Sequence, residues 1–285
     1  MSVASTISEV LRAGARALEG HSGSPSLDAQ LLLGKVLGSN RAALAAHPER
    51  PVAAAEAAAF RALLEERRAG VPVAYLTGVR EFWTLAVAVS PAVLVPRPET
   101  EVLVEAALER LPADVPRAVL DLGTGSGVIA LAIASERPRS RITATDVSAG
   151  ALAVARANAA SLGIDRIRWL RGSWFDAVPG ERFDWIVSNP PYVAAADPAL
   201  VALSAEPREA LTPGNSGLEA IERIVADAPR HLNAAGGLAI EHGADQGDAV
   251  AALFAARGFE AVRGVSDHAG RPRVTLGTIS DVQRG

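Results

Sequence analysis

The stretch Val119-Leu120-Asp121-Leu122-Gly123-Thr124-Gly125-Ser126-Gly127 joins an apolar run to three glycines at alternate positions. The apolar run is typical of a buried strand, and the apolar residues after Gly127 predict a helix. Glycine is needed where the backbone turns sharply or approaches a ligand closely. The spacing differs from the G-x-G-x-x-G of nicotinamide-binding loops, and no phosphate-binding lysine follows. The stretch therefore predicts a strand, a ligand-binding loop and a helix, with a plain tight turn as the alternative.

Strand and helix patterns alternate around this stretch to the end of the chain. Alternation of this kind predicts a doubly wound, mostly parallel α/β sheet, here of seven strands. The last two strands have no helix between them, so we expect an antiparallel C-terminal hairpin. The predicted strands are 117–122, 141–146, 167–171, 183–188, 237–242, 259–266 and 272–279, and the predicted helices are 99–111, 127–136, 149–162, 217–232 and 245–257.

The first 74 residues show helical rather than strand periodicity. Thr6 and Glu9 have capping-box spacing, Asn40 is placed to cap a third helix, and Pro51 suits the first position of a fourth. We predict a small helical bundle over residues 1–74. Bundles appended to enzymes usually bind a partner or cover a site.

The period changes to alternation after the bundle, between residues 75 and 95. This segment predicts a β-hairpin linker with its turn at Ser90-Pro91. Residues 96–285 then form the second domain, which opens with Pro96-Arg97-Pro98-Glu99-Thr100-Glu101. This segment is typical of a helix start, with a proline in the first turn and acidic residues near the positive end of the helix dipole. The alternative is a loop that closes over a ligand at the domain junction.

Composition narrows the classes of function. The 285 residues are 49% hydrophobic and 21% charged, with a formal net charge of −4, which lacks the basic excess of a protein that grips phosphates. No cysteine is present, so a disulfide framework and a thiolate metal site are excluded, and the five histidines are scattered. The N-terminus has no basic segment followed by an apolar core. We expect a cytoplasmic monomer with no metal, membrane or direct nucleic-acid partner.

Three residues beside the glycine loop suggest the ligand. Asp121 would repel a pyrophosphate but suits the positively charged amino-acid part of S-adenosylmethionine. Asp146 ends the strand 141–146, where a carboxylate can accept both ribose hydroxyls, although it can also cap the next helix. Trp174 follows the third strand, where it packs either on an adenine edge or in the core.

The tetrapeptide Asn189-Pro190-Pro191-Tyr192 follows a buried strand whose carboxyl end lies where open α/β sheets bind ligands. The two prolines fix two successive φ angles and lack backbone N–H donors. The carbonyl oxygens of this segment are therefore free to accept hydrogen bonds from a ligand. A carboxamide oxygen, a proline carbonyl and an aromatic ring together suit a planar NH2 group. The alternative is a loop that proline merely stiffens, and the tetrapeptide does not distinguish a glutamine amide from an adenine amine.

Several motifs in order resemble one family, the HemK-type (PrmC-type) protein-(glutamine-N5) methyltransferases. The matching motifs are Pro72-Val73-Ala74-Tyr75-Leu76-Thr77-Gly78, Glu81-Phe82-Trp83, Val95-Pro96-Arg97-Pro98-Glu99-Thr100-Glu101, Asp121-Leu122-Gly123-Thr124-Gly125-Ser126-Gly127, Asn189-Pro190-Pro191-Tyr192, Glu206-Pro207 and Gly270-Arg271-Pro272-Arg273-Val274. The motif Pro96-Arg97-Pro98-Glu99-Thr100-Glu101 is far more specific to this family than the glycine loop, which is common to many methyltransferases. The resemblance runs from about residue 70 to the end. One departure is Ser216, where the family pattern has an aspartate.

The resemblance implies an S-adenosyl-L-methionine-dependent enzyme that methylates the glutamine of the Gly-Gly-Gln motif in class I peptide chain release factors. It implies that the N-terminal helices help to recognise the release factor. It places Asn189, Pro190, Pro191 and Tyr192 around the substrate amide, with Asn189, Pro190 and Tyr192 as the catalytic set. Its cofactor-binding set is Gly123, Thr124, Gly125, Ser126, Gly127, Asp146, Trp174 and Asn189.

Four other functions compete with this interpretation. An adenine-N6 methyltransferase acting on DNA or RNA would use the same tetrapeptide on a flipped base, but the net charge disfavours it. A glutamine methyltransferase for a ribosomal protein differs mainly in its N-terminal domain. A nicotinamide-dependent oxidoreductase and a non-catalytic nucleotide-binding module are disfavoured by the G-x-G-x-G spacing and by Asn189.

Overall fold

A computed structural model describes residues 5–280, which fall into two compact units that divide between Val79 and Arg80. The N-terminal unit is helical, and its core contains Leu32, Leu33 and Phe60, each no more than 2% exposed. Its helices are α1 (Ile7–Ala17), α2 (Pro25–Leu37), α3 (Arg41–Ala46), α4 (Ala54–Arg68) and α5 (Val73–Thr77).

The capping predictions in the helical unit have mixed outcomes. The Thr6–Glu9 capping box and the Asn40 cap are confirmed. The prediction for Pro51 is wrong, because Pro51 pairs with Thr6 in an isolated β-bridge and α4 begins three residues later. Glu56 caps α4 instead, since its carboxylate accepts the Ala53 backbone N–H at 2.8 Å.

A two-stranded hairpin follows, built from β1 (Val79–Phe82) and β2 (Leu85–Ala88). Its turn lies at Trp83-Thr84, so the predicted turn at Ser90-Pro91 is wrong. Trp83 adopts a φ of +57°, which is unfavourable for a bulky residue. A tryptophan therefore does not predict a turn at this position. Glu101 accepts the Trp83 backbone N–H at 2.7 Å and Glu136 accepts its indole N–H at 2.9 Å, which holds this conformation.

Seven strands form the sheet of the second unit in the order β5-β4-β3-β6-β7-β9-β8. All neighbouring pairs from β5 to β7 are parallel, whereas β9 is antiparallel to both β7 and β8. The predicted sheet and its antiparallel C-terminal hairpin are confirmed. The strands are β3 (Ala118–Leu122), β4 (Arg141–Asp146), β5 (Ile167–Arg171), β6 (Phe183–Ser188), β7 (Leu232–Glu241), β8 (Glu260–Ser266) and β9 (Pro272–Thr278).

Helices lie near all five predicted positions, and one further short helix, Ala199–Ala202, was not predicted. The helices are α6 (Glu101–Leu108), α7 (Val128–Glu136), α8 (Ala149–Ser161), α9 (Ala199–Ala202), α10 (Glu219–Asp227) and α11 (Gly247–Ala256). The sequence misplaces the start of β7, which begins at Leu232 rather than at 237. Its first half contains a register irregularity and Ala235 with a φ of +56°, so it lacks the pattern of a regular strand.

The strand order determines where a ligand can bind. The chain leaves β3 on one side for β4 and later returns on its other side as β6, so β3 and β6 lie at a topological switch point. In open α/β sheets a crevice forms outside the carboxyl ends of strands at this point. The glycine loop after β3, Asp146 at the end of β4 and Asn189 after β6 all lie at this edge.

Candidate active site

The glycine loop is held mainly by backbone hydrogen bonds. Gly123, Gly125 and Gly127 have φ values of +71°, +55° and +86°, a region that favours glycine. The backbone N–H groups of Gly123 and Thr124 both donate to the Thr145 carbonyl at 2.9 Å. The loop therefore folds over the end of β4, and its backbone forms one wall of a cavity.

The cavity has a volume of about 230 Å³ and lies at the carboxyl edge of β3, β4 and β6. Residues from the glycine loop, from the ends of strands and from the segment before α6 line it. Among the predicted site residues, those that line it are Gly123, Thr124, Gly125, Ser126, Asp146, Trp174, Asn189 and Pro191. Sequence positions from 123 to 191 thus converge on one concave site.

Asp146 accepts two backbone hydrogen bonds, but the prediction that it caps α8 is wrong, because Ser148 is the N-cap and accepts the Ala151 N–H. Its role toward ribose hydroxyls stays a prediction. Its Oδ1 accepts the Ser148 N–H at 2.8 Å, before α8, and its Oδ2 accepts the Gly125 N–H at 2.9 Å. The carboxyl group also lines the cavity, and burial raises its pKa above the ordinary value. Each carboxylate oxygen can accept a further hydrogen bond, so hydroxyl groups of a ligand can bind here.

Trp174 lies against the glycine loop. Its φ is +50°, a conformation that bulky residues rarely adopt and that is found at functional sites more often than elsewhere. A Cβ atom added to Gly123 would lie only 3.3 Å from the Trp174 ring. Glycine at position 123 therefore leaves room for the indole, which forms an aromatic wall of the cavity.

Asp121 and Gly127 of the glycine-loop motif lie outside the cavity lining. A Cβ at Gly127 would come within 3.0 Å of Ala155 and 3.1 Å of Trp169, so close packing explains this glycine. Asp121 is fully buried and accepts the Thr124 hydroxyl at 2.5 Å, while burial raises its pKa to about 7. The Asp121 side chain therefore supports the loop from beneath through Thr124, and the expectation that its charge suits the amino-acid part of S-adenosylmethionine stays a prediction.

Asn189 is oriented by a neighbour in a different segment. Its Nδ2 donates to Thr100 Oγ1 at 3.1 Å, and both residues line the cavity. In this rotamer Oδ1 is the carboxamide atom available to accept from a ligand. Pro190 is buried and Pro191 lines the cavity, so the proline pair fixes the backbone at the strand end.

Tyr192 points its hydroxyl away from the cavity lining, toward Glu241 at the end of β7. The hydroxyl donates to Glu241 Oε1 at 3.2 Å. Burial and the adjacent carboxylate both raise the pKa of Tyr192, so the phenol keeps its proton and acts as a donor. The half-buried ring packs against the hydrophobic core of the second unit, and the hydroxyl is held by Glu241.

The segment 96–101 contributes more to the site than the sequence indicated. Arg97 and Thr100 line the cavity, and Arg97 forms an ion pair with the buried carboxylate of Glu206. Glu206 also accepts the Val95 N–H at 2.9 Å, which ties the loop after the tetrapeptide to this segment. The sequence shows both motifs but does not pair them, because nothing in local spacing relates positions about 110 apart.

Ser216 makes a local hydrogen bond in place of the family's aspartate. Its hydroxyl accepts the Leu218 N–H at 3.1 Å, and its own N–H donates to Glu219 Oε1 at 2.8 Å. A serine hydroxyl thus performs the turn-capping that an aspartate would perform.

Within residues 5–280, no cluster of three or more acidic or histidine side chains is arranged to hold a metal ion. In the same residues no helix has both the length and the apolar character needed to cross a membrane.

Comparisons with known proteins first define a class. Residues 99–249 match the methyltransferase small domain, and residues 9–78 match the PrmC N-terminal domain. The T. thermophilus 16S rRNA N2 G1207 methyltransferase, solved with AdoMet and guanosine, shares the fold with a TM-score of 0.55 at 19% identity, over 70% of this chain and 49% of that one. The site at the switch point is therefore that of a methyltransferase fold.

Sequence relatives then define the family. The release factor glutamine methyltransferase of Xylella fastidiosa (strain Temecula1) is 51% identical over 88% of this chain and 92% of its own length. The Escherichia coli (strain K12) protein of the same name is 45% identical over 89% and 92%. This chain belongs to the release factor glutamine methyltransferase family, as the motif resemblance implied.

Proposed function

We propose that this protein transfers a methyl group from S-adenosyl-L-methionine to the side-chain nitrogen of the glutamine in the Gly-Gly-Gln motif of class I peptide chain release factors. It acts as a cytoplasmic monomer. Family membership supports the proposal, and one observation carries it in the structure: a carboxamide oriented by Thr100 lies in the same cavity as the glycine loop.

The residues at the glycine loop fit S-adenosylmethionine. When bound, this cofactor supplies an electrophilic methyl group on a positively charged sulfur. The Asp146 carboxylate would accept the ribose hydroxyls, and the Trp174 ring would pack on the adenine. A Cβ at Gly123 would crowd Trp174, so the glycine lets the indole stay at the cavity wall, where it would meet the adenine.

The tetrapeptide would orient the substrate. An amide nitrogen is a poor nucleophile because its lone pair is delocalised into the carbonyl, so positioning matters more than acid-base chemistry. Asn189 Oδ1 and the Pro190 carbonyl would accept the two N–H bonds, with Tyr192 against the amide plane. Orientation of this kind contributes up to roughly 7–11 kcal/mol to lowering a barrier. The proton would leave after transfer, when the alkylated amide is strongly acidic.

The N-terminal helical unit would recognise the protein substrate. We propose that residues 1–74 bind the release factor, that 75–95 link the domains and that 96–285 carry out the transfer. The match of residues 9–78 to an N-terminal domain of this family supports a role beyond stability.

Labelled S-adenosylmethionine tests the proposal directly. The protein is incubated with a purified class I release factor, with ribosomes or with DNA, and peptide mapping locates the label. We expect label on the glutamine of the Gly-Gly-Gln motif, and at least about 100-fold slower labelling with Asn189→Ala at the same enzyme concentration. Label mainly on a ribosomal protein or on adenine would replace the proposed substrate with that one.

A further inference from the structure

The backbone of the tetrapeptide at 189–192 has to be positioned from its two ends. Pro190 and Pro191 have no N–H group, so the backbone between the ends has no donor of its own. At the first end, the Asn189 side chain donates to Thr100. The proposed mechanism gives the second end, at Tyr192, no support of its own, although the Pro190 carbonyl that would accept from the substrate amide lies just before it.

The peptide group that joins Tyr192 to Val193 is hydrogen-bonded on both sides. Its N–H, which belongs to Val193, donates to the Leu211 carbonyl at 2.9 Å. Its carbonyl, which belongs to Tyr192, accepts from Gln246 Nε2 at 3.1 Å. A peptide plane that is bonded at both polar atoms cannot rotate without losing one of the two bonds. These contacts therefore fix the second end of the tetrapeptide.

Neighbouring hydrogen bonds hold the Gln246 carboxamide in one orientation. Its Oε1 accepts the Gly243 N–H at 2.8 Å, and its Nε2 also donates to the Gly217 carbonyl at 3.4 Å. A flipped carboxamide would set NH2 against an N–H group and an oxygen against two carbonyl oxygens. The Gln246 backbone N–H donates back to the Gly243 carbonyl at 3.0 Å, which closes the turn. The donor that faces Tyr192 is thus already in place before any ligand binds.

Gly217 leaves the space in which this contact forms. Its φ is +80°, and an added Cβ would lie 2.5 Å from the Tyr192 carbonyl oxygen and 3.0 Å from Gln246 Nε2. A main-chain oxygen cannot come that close to a Cβ, so a side chain at this position would displace the Tyr192 carbonyl. Neither Gln246 nor Gly217 lines the cavity, so neither is placed to touch a ligand there.

We propose that Gln246 is a positioning residue for methyl transfer, which holds the Tyr192 carbonyl and thereby fixes the Pro190 carbonyl where it would accept from the substrate amide. Misplacement of a reacting group by about 1 Å costs roughly 100-fold in rate, so a hydrogen bond outside the cavity can control turnover. The inference rests on the proposed function, because it names what keeps one of the two amide acceptors in place.

Gln246→Glu tests this role while it keeps the size of the side chain. The carboxylate has no N–H to donate and sets an oxygen against two carbonyl oxygens, so the peptide group should move. We expect kcat on release factor to fall about 10- to 100-fold, with a smaller change in KM. The dissociation constant of S-adenosylmethionine, measured by calorimetry, should stay within about twofold, because the glycine loop is held by β4.

A kcat of Gln246→Glu within twofold of wild type would overturn the proposal, and so would a loss confined to KM. Gln246→Ala takes its place if the glutamate variant does not fold. It removes the same donor without adding a repulsive oxygen, so its loss of kcat should be smaller but still exceed twofold. The same two outcomes would overturn the proposal in this variant.

Gly217→Ala disturbs the same carbonyl from the other side. It should lower kcat by several-fold or more per folded molecule. Gly180→Ala is the matched control, because Gly180 has a φ of +72° and no atom within 4 Å of an added Cβ, and it should keep kcat near wild type. In the variant that combines Gln246→Glu with Gly217→Ala the losses should not multiply, because both act on one peptide group. Multiplicative losses, or equal kcat in the two glycine variants, would contradict the proposal.

Hydrogen exchange gives a readout that a merely structural role would not change. The Val193 amide belongs to the peptide group that Gln246 holds, whereas Val187 lies within β6, paired on both sides, and reports on global unfolding. In Gln246→Glu without ligands, the Val193 amide should exchange faster relative to the Val187 amide. A parallel rise at both positions would mean that Gln246 acts through stability alone, and the proposal would fail.

The wild-type protein separates the two levels of inference. If it places no methyl on release factor glutamine, the proposed function fails, while the exchange measurement still decides whether Gln246 holds the peptide group. If the wild type methylates release factor and the Gln246 variants do so equally well, only the role of Gln246 fails.

Discussion

The two halves of the site are held in different ways. The glycine loop at 123–127 keeps its shape through backbone conformation and backbone donors, and its glycines make room for Trp174, Ala155 and Trp169. The tetrapeptide at 189–192 is held by side chains, because Asn189 donates to Thr100 and Tyr192 donates to Glu241. One half depends on the absence of Cβ atoms, whereas the other depends on the identity of single oxygen and nitrogen atoms.

This difference predicts how each half responds to substitution. Changes in the glycine loop should alter folding and cofactor affinity, because the loop forms the wall of the cavity. Changes in the tetrapeptide should alter turnover at nearly constant cofactor affinity, because its groups act on the substrate amide.

The largest effect is expected for Asn189→Ala. It removes the acceptor for the substrate amide, and turnover should fall by about 10²–10³, as when one oriented polar group is lost from an active site. Cofactor affinity should fall much less. Asn233→Ala, which removes an asparagine bonded to Asp184 outside the cavity, should leave turnover near wild type. Near-full turnover of Asn189→Ala would break the distinction between the two halves.

Asp146→Ala should have the opposite profile. Hydrogen bonds to a charged group contribute about 1.5–3 kcal/mol, so cofactor affinity should fall roughly 10- to 100-fold while turnover at saturation changes less. Asp184→Ala is the matched control, because that carboxylate accepts the Ala118 N–H at the other end of β3. It should reduce stability without changing cofactor affinity. A similar loss of affinity in both variants would mean that Asp146 acts through folding alone.

Gly127→Ala isolates the packing role of the glycine loop. A Cβ there meets Ala155 and Trp169 at a φ of +86°, so the free energy of unfolding should fall by about 1–3 kcal/mol from strain, with crowding adding to it. Gly163 has a φ of +67° and no atom within 4 Å of an added Cβ, so Gly163→Ala measures strain by itself. Equal losses in urea denaturation would show that crowding at Gly127 contributes nothing.

The sequence predicts the backbone-held half better than the side-chain-held half. Glycine spacing, strand ends and the position of Asp146 are local patterns, and the sheet order brings them to one edge as expected. The hydrogen bonds of Asn189 to Thr100 and of Tyr192 to Glu241 join the tetrapeptide to distant parts of the sequence, and no local periodicity predicts such contacts. One feature of the sequence could have indicated Glu241: it is a carboxylate at the end of an apolar strand, at the same edge of the sheet as Asn189.

Strained conformations account for the misplaced elements. The hairpin turn lies at Trp83 and the irregular half of β7 at Ala235, and both residues have positive φ. Neither residue type predicts such a turn, because tertiary contacts select the conformation. For Trp83 those contacts are the carboxylates of Glu101 and Glu136.

The smallest effect is expected at Ser216, and it tests how far the side-chain-held half extends. Its hydroxyl accepts the nearby Leu218 N–H at an exposed turn, so Ser216→Ala should reduce stability by about 0.5–1 kcal/mol and leave turnover within twofold. Ser216→Asp should match wild type in both measurements, because aspartate makes the same cap. The three proteins are compared by thermal unfolding and by methylation of release factor. A several-fold rise in turnover for Ser216→Asp would show that the family's aspartate contacts the substrate, and the polar half of the site would then extend to residue 216.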